Sequence, residues 1–209
     1  MSSTPLRRSR HARRELDQRR RARTRARVLE AAERVLATEG LDAPVPAIAR
    51  AAGVGVGSVY RHFPSKEALV DAVVVDRLSW YAERAEAAAL EPDAWIALVD
   101  LIVAAAERQS VDALLTEALE TVEDHAEVKP AIAHATGALD RLLARAREQG
   151  TLRPDVTTDD LRLVFVSVGA VIASPRTRPE SWRRLVELIT DGMRASPGAP
   201  SLRPLPPAA

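Results

Sequence analysis

The chain contains no cysteine, and aromatic residues make up only 3 % of its 209 residues. The absence of cysteine excludes disulfide bonds and thiolate metal sites. No apolar segment of the kind found in export signals follows Met1, and the longest apolar stretch, residues 163–173, is too short to span a bilayer. We therefore expect a soluble, cytoplasmic protein that has no membrane partner.

Patterns typical of β-strands are also scarce. No long run of alternating β-branched residues is present, whereas Ala, Leu, Arg and Glu, which favour helices, dominate the composition. A chain of 209 residues can form one sizeable core, or a small module joined to a larger one. The composition therefore predicts an all-α fold, with two domains as the favoured arrangement.

Catalytic and metal-binding patterns are absent as well. No His and Glu residues have the spacing of a metal site, and we find no Ser/His/Asp or Cys/His arrangement of the kind that catalyses nucleophilic reactions. Glu117, Glu120, Glu123 and Asp124 read as a solvated stripe along a helix. We therefore expect no metal, no cofactor and no enzymatic activity.

The net charge of +1 hides an uneven distribution along the chain. Residues 1–27 contain eleven Arg against two acidic residues, a charge of +9, so the other 182 residues carry −8. This asymmetry fits a basic arm that binds a polyanion and an acidic body, although a disordered, solvated tail is the alternative. We expect residues 1–22 to be a disordered basic arm.

Three helices are predicted after this arm. Apolar residues at helical spacing line one face of the first helix: Val28, Leu29, Ala32, Val35 and Leu36. Gly40 ends this helix, and a second, short helix begins at Pro46 and stops at Gly53. The glycine-rich stretch 53–57 then leads into a third helix, Ser58–Phe63. A tight glycine turn between two short helices is typical of a helix-turn-helix.

Residues 48–69 contain a more specific pattern, Ile-Ala-Arg-Ala-Ala-Gly-Val-Gly-Val-Gly-Ser-Val-Tyr-Arg-His-Phe-Pro-Ser-Lys-Glu-Ala-Leu. This pattern resembles the DNA-binding signature of the TetR family of repressors, and the resemblance covers about residues 27–72. Two positions depart from it: Pro44 stands where Thr or Ser often caps the second helix, and Gly55 replaces a common Ser. The rest of the chain resembles the family only in length and helical pattern.

The resemblance implies that Ser58–Phe63 enters the major groove of operator DNA. Arg61 is the candidate for direct base readout, because its guanidinium matches guanine O6 and N7. Tyr60 and His62 would lie near the backbone or bases, although Tyr60 could instead be a packing residue. The Arg-rich arm would follow the DNA backbone or enter the minor groove. The predicted DNA-contacting residues are Arg23, Arg25, Arg50, Gly57, Ser58, Tyr60, Arg61, His62 and Lys66.

The glycines and apolar residues of the same stretch also suit a helix-turn-helix on physical grounds. Gly53, Gly55 and Gly57 would allow the preceding helix to approach closely and would leave the entrance of the recognition helix free of bulky side chains. Val59 and Phe63 lie four residues apart, so both can face the core of the module. We expect the polar side chains between them to face outward.

The rest of the chain is predicted to be a helical body. A long helix begins at Ser65, and further helices are expected at about 92–108, 110–122, 130–149, 158–173 and 179–194. The resulting domains are a basic arm (1–22), a helix-turn-helix domain (23–68), a ligand-binding and dimerisation domain (69–195) and a disordered, Pro-rich tail (196–209).

In TetR-like proteins such a body holds an effector cavity and a dimer interface, and the resemblance implies both here. The candidate effector-binding residues are Trp80, Tyr81, Trp95, Leu98, Ile102, Leu115, Leu119, His125 and Phe165. Ordinary core packing is the alternative for each of them. The last two helices would pair with their symmetry mates through Val164, Val168, Val171, Leu185 and Leu188. Phe165 was a further candidate for that interface.

Together these observations predict a sequence-specific DNA-binding transcription regulator. We expect a homodimeric repressor that binds a palindromic, double-stranded operator and is released by a small-molecule effector. Two alternatives remain open. One is a sequence-indifferent architectural DNA-binding protein that relies on its basic arm, and the other is a small-molecule-binding helical protein whose DNA module is vestigial.

Overall fold

The computed structural model describes residues 5–111, 118, 119, 121–196, 198 and 201–203, and describes side chains from Glu15 onward. The described residues form helices, with a single isolated β-bridge between Leu152 and Arg194. The all-α prediction is confirmed. The helices are α1 (Pro5–Glu39), α2 (Val45–Ala51), α3 (Val56–His62), α4 (Lys66–Ala88), α5 (Ala94–Val111), α6 (Lys129–Glu148), α7 (Thr158–Ala173) and α8 (Ser181–Met193).

The chain divides into two compact units, Met1–Val73 and Val74–Ala209. The predicted helix at 110–122 lies mostly outside the described residues, and so does Leu115; residues 118, 119, 121 and 122 are helical. None of the described helices is long and apolar enough to cross a membrane. In the same part of the chain, no group of three or more His, Asp or Glu side chains could hold a metal ion.

In the N-terminal unit, α1 packs against α2 and α3. The apolar face predicted for the first helix is buried, from Val28 to Leu36. Ile48 of α2 and Val59 of α3 are also buried, and Phe63, which follows α3, closes the same core. Gly40 ends α1 with a positive φ of 81°, which an L side chain adopts only with strain, as the sequence predicted for a helix stop.

The basic segment differs from the expectation of a disordered arm, because α1 begins at Pro5 and residues 5–22 are helical. Arg, Ala, Leu, Gln and Glu, which make up most of this segment, are all good helix formers. The segment also continues directly into the buried part of α1, which removes the cost of nucleating a separate helix. No side chain from Glu15 to Arg27 is buried, so the helix here has no core of its own.

The two short helices begin slightly earlier than the sequence predicted. Helix α2 begins at Val45, after Pro44 in an extended conformation, and α3 begins at Val56 instead of Ser58. Between them Gly53 adopts a φ of 64°. A Cβ atom at Gly53 would lie 3.1 Å from Nη2 of Arg27, and this same nitrogen donates a hydrogen bond of 2.6 Å to the carbonyl oxygen of Ala52. Both the backbone angle and the neighbouring guanidinium therefore favour glycine.

In the C-terminal unit, α5 packs against α6, α7 and α8. Large side chains from these helices, including Leu98, Ile102, Leu142 and Leu161, are fully buried. Gly169 of α7 marks a close helix crossing, because a Cβ atom there would lie 2.5 Å from Nε2 of the buried Gln109.

Side-chain caps set several of the helix starts. Asp93 accepts hydrogen bonds of 3.0 Å from the backbone N–H groups of Trp95 and Ile96, so α5 begins at Ala94 and not at Pro92. Thr157 and Asp160 form a reciprocal capping box, so α7 begins at Thr158, as the sequence predicted. Helix α8 begins at Ser181, two residues after Pro179.

The C-terminal segment also differs from the prediction of a disordered tail. The backbone N–H of Ala195 donates to the carbonyl oxygen of Thr151 at 2.9 Å, and the N–H of Leu202 donates to Oδ2 of Asp155 at 2.6 Å. Asp155 also forms an ion pair of 3.1 Å with Arg153. Residues 201–203 therefore lie against the loop between α6 and α7, whereas residues 204–209 are outside the described residues.

Candidate functional site

Helix α3 presents a polar face to solvent. Val59 is only 1 % exposed and holds the inner side of the helix, whereas Tyr60 is 46 % exposed and Arg61 is fully on the outside. Ser58 and His62 are partly exposed. Because successive helical residues are separated by about 100°, Arg61 projects from the side opposite Val59 and Phe63. The predicted orientation of α3 is confirmed, and so is the inward packing of Val59 and Phe63.

Gly57 lies on the same outer side as Arg61, one helical turn earlier. A Cβ atom at Gly57 or Gly55 would meet no other atom within 4 Å, and neither residue has a positive φ. The expectation that these two glycines admit the preceding helix was therefore wrong, and only Gly53 has a close neighbour within the unit. Gly57 leaves open space beside Arg61 that an incoming partner can occupy.

The arginines of α1 that adjoin this face have different contacts. The guanidinium carbon of Arg25 lies 5.0 Å from the centroid of the Phe63 ring, which is within the range of a cation–π interaction. Arg27 instead donates a hydrogen bond to the carbonyl oxygen of Ala52, the residue that follows α2. Arg23 is exposed. Arg25 is thus held beside the end of α3, while Arg27, which the sequence did not single out, has a structural contact.

The start of α4 supplies a further cation. Ser65 caps this helix, because its Oγ accepts a hydrogen bond of 3.1 Å from the backbone N–H of Ala68. Hydrogen bonds from its own backbone N–H and from Ser65 hold the pKa of Glu67 below its usual value, and the neighbouring Lys66 acts in the same direction. Lys66 is partly exposed, and Arg50 in the last turn of α2 is exposed. Every predicted DNA-contacting side chain therefore reaches the surface of the N-terminal unit.

In the C-terminal unit, three of the predicted effector residues form one aromatic cluster. The Trp80 and Tyr81 rings meet edge to face with centroids 4.9 Å apart, and the Tyr81 and Phe165 centroids are 6.4 Å apart. Two guanidinium groups lie over Trp80: that of Arg84 at 4.4 Å from the ring centroid and that of Arg108 at 4.7 Å. Helices α4, α5 and α7 thus all contribute to the cluster.

Sequence reasoning missed both of these arginines. Arg84 lies one helical turn after Trp80, so the spacing of the two residues held a usable signal. Arg108 is on another helix, and no pattern in the sequence links it to Trp80.

A groove of about 520 Å³ begins beside Arg84 and runs between α4 and α5. Its apolar lining includes Ala88, Ile96 and Leu101.

Three of the other predicted effector residues belong to the core of the C-terminal unit. Leu98 and Ile102 are fully buried core residues of α5, and Trp95 is buried with Arg194 over its ring at 5.6 Å. For these residues the alternative of core packing fits the structure. Leu119 and His125 are partly exposed.

The predicted dimer residues need a correction. Val164 and Val168 are buried within their own chain, so their side chains are not available to a partner. The outer side of α7 instead carries Leu163 and Val166, which are 50 % and 51 % exposed, and α8 carries Leu188, which is 58 % exposed. Val171 and Leu185 are partly exposed. Helix α7 is apolar on nearly all sides between residues 161 and 168, so periodicity alone could not separate its inner and outer faces.

Comparison with known proteins finds two family profiles along the chain. The profile of the bacterial regulatory proteins of the tetR family matches residues 28–73. The C-terminal domain profile of SbtR-like transcriptional regulators matches residues 91–195. The first match contains α2, α3 and the start of α4, and the second contains α5 to α8.

Individual relatives agree with these matches. The chain is 29 % identical to the HTH-type transcriptional regulator UidR of Escherichia coli over 145 residues, which are 65 % of this chain and 72 % of UidR. It is 35 % identical to a TetR transcription regulatory protein from Mycobacterium vanbaalenii, with a TM-score of 0.65 over 85 % of this chain and 99 % of that one. A TetR transcriptional regulator from Streptomyces coelicolor is 28 % identical, with a TM-score of 0.61, and the match covers 82 % of this chain and 99 % of the regulator.

Proposed function

This chain belongs to the TetR family of transcriptional regulators, and we propose that it is a repressor that a small-molecule effector releases from a palindromic operator. Regulators of this family bind DNA through a helix-turn-helix, which here consists of α2 and α3. The proposal depends above all on α3, whose buried Val59 and Phe63 leave Arg61 and its neighbours facing outward. An exposed polar face on a short, firmly packed helix suits insertion into the major groove.

Within the proposed complex, Arg61 reads a base and its neighbours position the helix. The guanidinium of Arg61 has no competing ion pair among the described residues, so its donors are available for guanine O6 and N7. The open space at Gly57 lets base edges approach the backbone of α3. Ser58, Tyr60 and His62 flank Arg61. The cations Arg23, Arg25, Arg50 and Lys66 bind phosphates and fix the register on the duplex.

A two-fold dimer explains why the operator would be palindromic. Each protomer then reads one half-site, and the half-sites lie about 34 to 36 Å apart or a multiple of that distance. We assign the dimer surface to the outer faces of α7 and α8. The exposed side chains Leu163, Val166 and Leu188 support this assignment, because large apolar groups on neighbouring helices are costly to leave in water.

We place the effector site at the cluster around Trp80. Tyr81 and Phe165 offer further apolar rings, and the guanidinium groups of Arg84 and Arg108 favour a flat ligand that carries negative charge. Helix α4 carries both Lys66 and Trp80. An effector that binds more tightly when α4 adopts a conformation unsuited to DNA would lower operator affinity by mass action.

Selection of bound duplexes from random DNA tests the proposed repressor directly. We expect the chain to enrich a palindromic sequence and to bind it at least about a thousandfold more tightly than scrambled DNA at physiological salt. Equal, salt-limited affinity for all duplexes would overturn the proposal and favour the architectural alternative. Ligands that carry a planar ring and a carboxylate are then screened for release of the selected duplex, with their neutral amides as matched controls.

A further inference from the structure

We propose that the first part of α1, residues 5–27 (the basic helix), binds the DNA that flanks each operator half-site through phosphate contacts that do not depend on sequence. The inference rests on the proposed function, because it takes α3 as the element that locates the half-site. It goes further by assigning a separate contact surface and a separate stretch of DNA to the part of α1 that lies outside the core.

The described side chains of the basic helix lie outside the core, and Arg25 and Arg27 at its end contact the residues that follow α3 and α2. None of its described side chains, from Glu15 to Arg27, is buried, and Leu16 is left 64 % exposed. Among the described side chains of α1, the first that is buried is Val28. A helix that lacks a packed face gains little stability from the rest of the fold. A partner outside the chain would give this segment the stabilising contacts that the fold does not.

Its charge identifies that partner as a polyanion. The basic helix contains eleven arginines and only Glu15 and Asp17 as acids. At about 100° per residue the arginines from Arg19 to Arg27 lie on several sides of the helix. A helix that binds a lipid surface needs an apolar face opposite its charged face, and the basic helix has none. A duplex, whose phosphates line both sides of a groove, suits charge on several sides of a helix.

The spacing of the arginines makes the helix dependent on anions. Four pairs are separated by four residues: Arg10 and Arg14, Arg19 and Arg23, Arg21 and Arg25, Arg23 and Arg27. Like charges at this spacing repel each other and destabilise a helix. Phosphate groups placed between the guanidiniums would remove this repulsion. DNA binding and stability of the basic helix are therefore expected to be coupled.

The base of the basic helix is fixed beside the recognition helix. The guanidinium of Arg25 lies over Phe63 at 5.0 Å, at the end of α3, and Arg27 donates to Ala52 at the end of α2. When α3 enters a groove, the basic helix therefore starts next to the same duplex. From Arg25 back to Arg7 a helix spans about 27 Å, which corresponds to about eight base pairs of duplex.

The test combines a change in the protein with a change in the DNA. The selected operator is prepared with flanks of about ten base pairs, with the same flanks scrambled, and with no flanks. The full chain is compared with the triple variant Arg19→Gln, Arg20→Gln and Arg21→Gln. A matched control, Arg176→Gln, Arg178→Gln and Arg203→Gln, removes the same charge from exposed positions in the C-terminal unit. Circular dichroism confirms that each variant is folded.

We expect the unaltered chain and the control to lose at least tenfold in affinity when the flanks are removed. Scrambling the sequence of the flanks should not change their affinity. The basic-helix variant should lose little on flank removal, and its slope of log affinity against log salt should be smaller by about 2 to 3. Its preference for operator over scrambled half-sites should be unchanged.

Two patterns would overturn the inference while leaving the proposed function intact. In the first pattern, removal of the flanks lowers the affinity of the unaltered chain and of the basic-helix variant equally. In the second, the basic-helix variant has an altered preference among half-sites. Tighter binding of the basic helix to duplex RNA than to DNA flanks would also overturn it. If the unaltered chain does not prefer the selected operator, the proposed function fails, and the flank assignment fails with it because its anchor is lost.

Discussion

The outer face of α3 and the cluster around Trp80 both carry arginine and aromatic side chains, but the arginines differ in their surroundings. On α3, Arg61 projects into solvent next to the half-exposed Tyr60 and beside an open space at Gly57. At Trp80, two guanidinium groups already lie over one ring, with contacts from three helices. The first surface can take a partner without rearranging, whereas the second is also part of the protein's own packing.

This difference determines which substitutions separate binding from stability. A side chain that contacts only solvent in the free protein can be removed without weakening the fold. A side chain within a packed cluster affects stability and ligand binding together. The N-terminal unit should therefore show functional losses without unfolding, except at its few inward residues.

Phe63→Ala should have the largest effect on stability, because it removes the side chain that closes the core after α3. This side chain is almost completely buried, so its removal should destabilise the N-terminal unit by about 3 to 5 kcal/mol. Urea unfolding followed by circular dichroism measures the loss. Tyr60→Ala is the matched control, because its ring is 46 % exposed and its removal should change stability by less than about 0.5 kcal/mol. Equal effects of the two substitutions would contradict the assigned orientation of α3.

Arg61→Ala should separate binding from stability. We expect operator affinity to fall by about 1 to 3 kcal/mol, with relaxed preference at one base pair of each half-site, because a bidentate contact to guanine is lost. The unfolding midpoint should not move. Arg176→Ala, an exposed residue of the C-terminal unit, serves as the control. A uniform loss across all sequences would instead make Arg61 a phosphate contact.

Trp80→Leu should show the opposite behaviour, a change in stability and in effector response together. The substitution removes the ring that lies under Arg84 and Arg108, and two cation–π contacts are worth about 1 to 2 kcal/mol. Thermal unfolding measures the loss, and titration with naphthoate in the presence of operator measures release. Trp182→Phe controls for the loss of a tryptophan elsewhere in the unit. Retained release by Trp80→Leu would move the effector site away from this cluster.

The helix-turn-helix was predictable because local rules decide its structure. Glycine at positions 40 and 53 fits the positive φ angles of 81° and 64° found there, and the spacing of Val59 and Phe63 shows which side of α3 faces inward. The helical state of residues 5–22 was not predicted, because a high density of like charge favours disorder, whereas the helix propensity of arginine and the continuity with Val28 favour a helix.

The C-terminal unit was harder to predict because its contacts join distant parts of the chain. On α7, Leu163, Val164 and Val166 are all apolar, and only the packing of neighbouring helices decides that Val164 faces inward. The contact between Trp80 and Arg108 crosses from α4 to α5, so no spacing rule could reveal it. Tertiary contacts, and not local preferences, select the faces in this unit.

The smallest predicted effect concerns an acid that is ion-paired within the C-terminal unit, whereas Arg61 has no ion pair among the described residues. The Arg153 guanidinium, followed by the N–H of Leu202, lowers the pKa of Asp155 from 3.8 to about 2. Because the folded-state pKa is the lower one, the stabilisation is complete above about pH 4 and is lost as the pH falls towards 2.

Hydrogen exchange of the Leu202 amide, or the carboxyl chemical shift of Asp155, should follow this titration. Asp155→Asn should abolish the change in Leu202 amide exchange that the titration of Asp155 causes between pH 4 and pH 2. It should leave operator affinity at neutral pH unchanged. Asp159→Asn, an exposed acid in the first turn of α7, is the control and should retain the transition at Asp155. A carboxyl shift that titrates near pH 4 would mean that neither Arg153 nor the N–H of Leu202 stays hydrogen-bonded to Asp155 in solution.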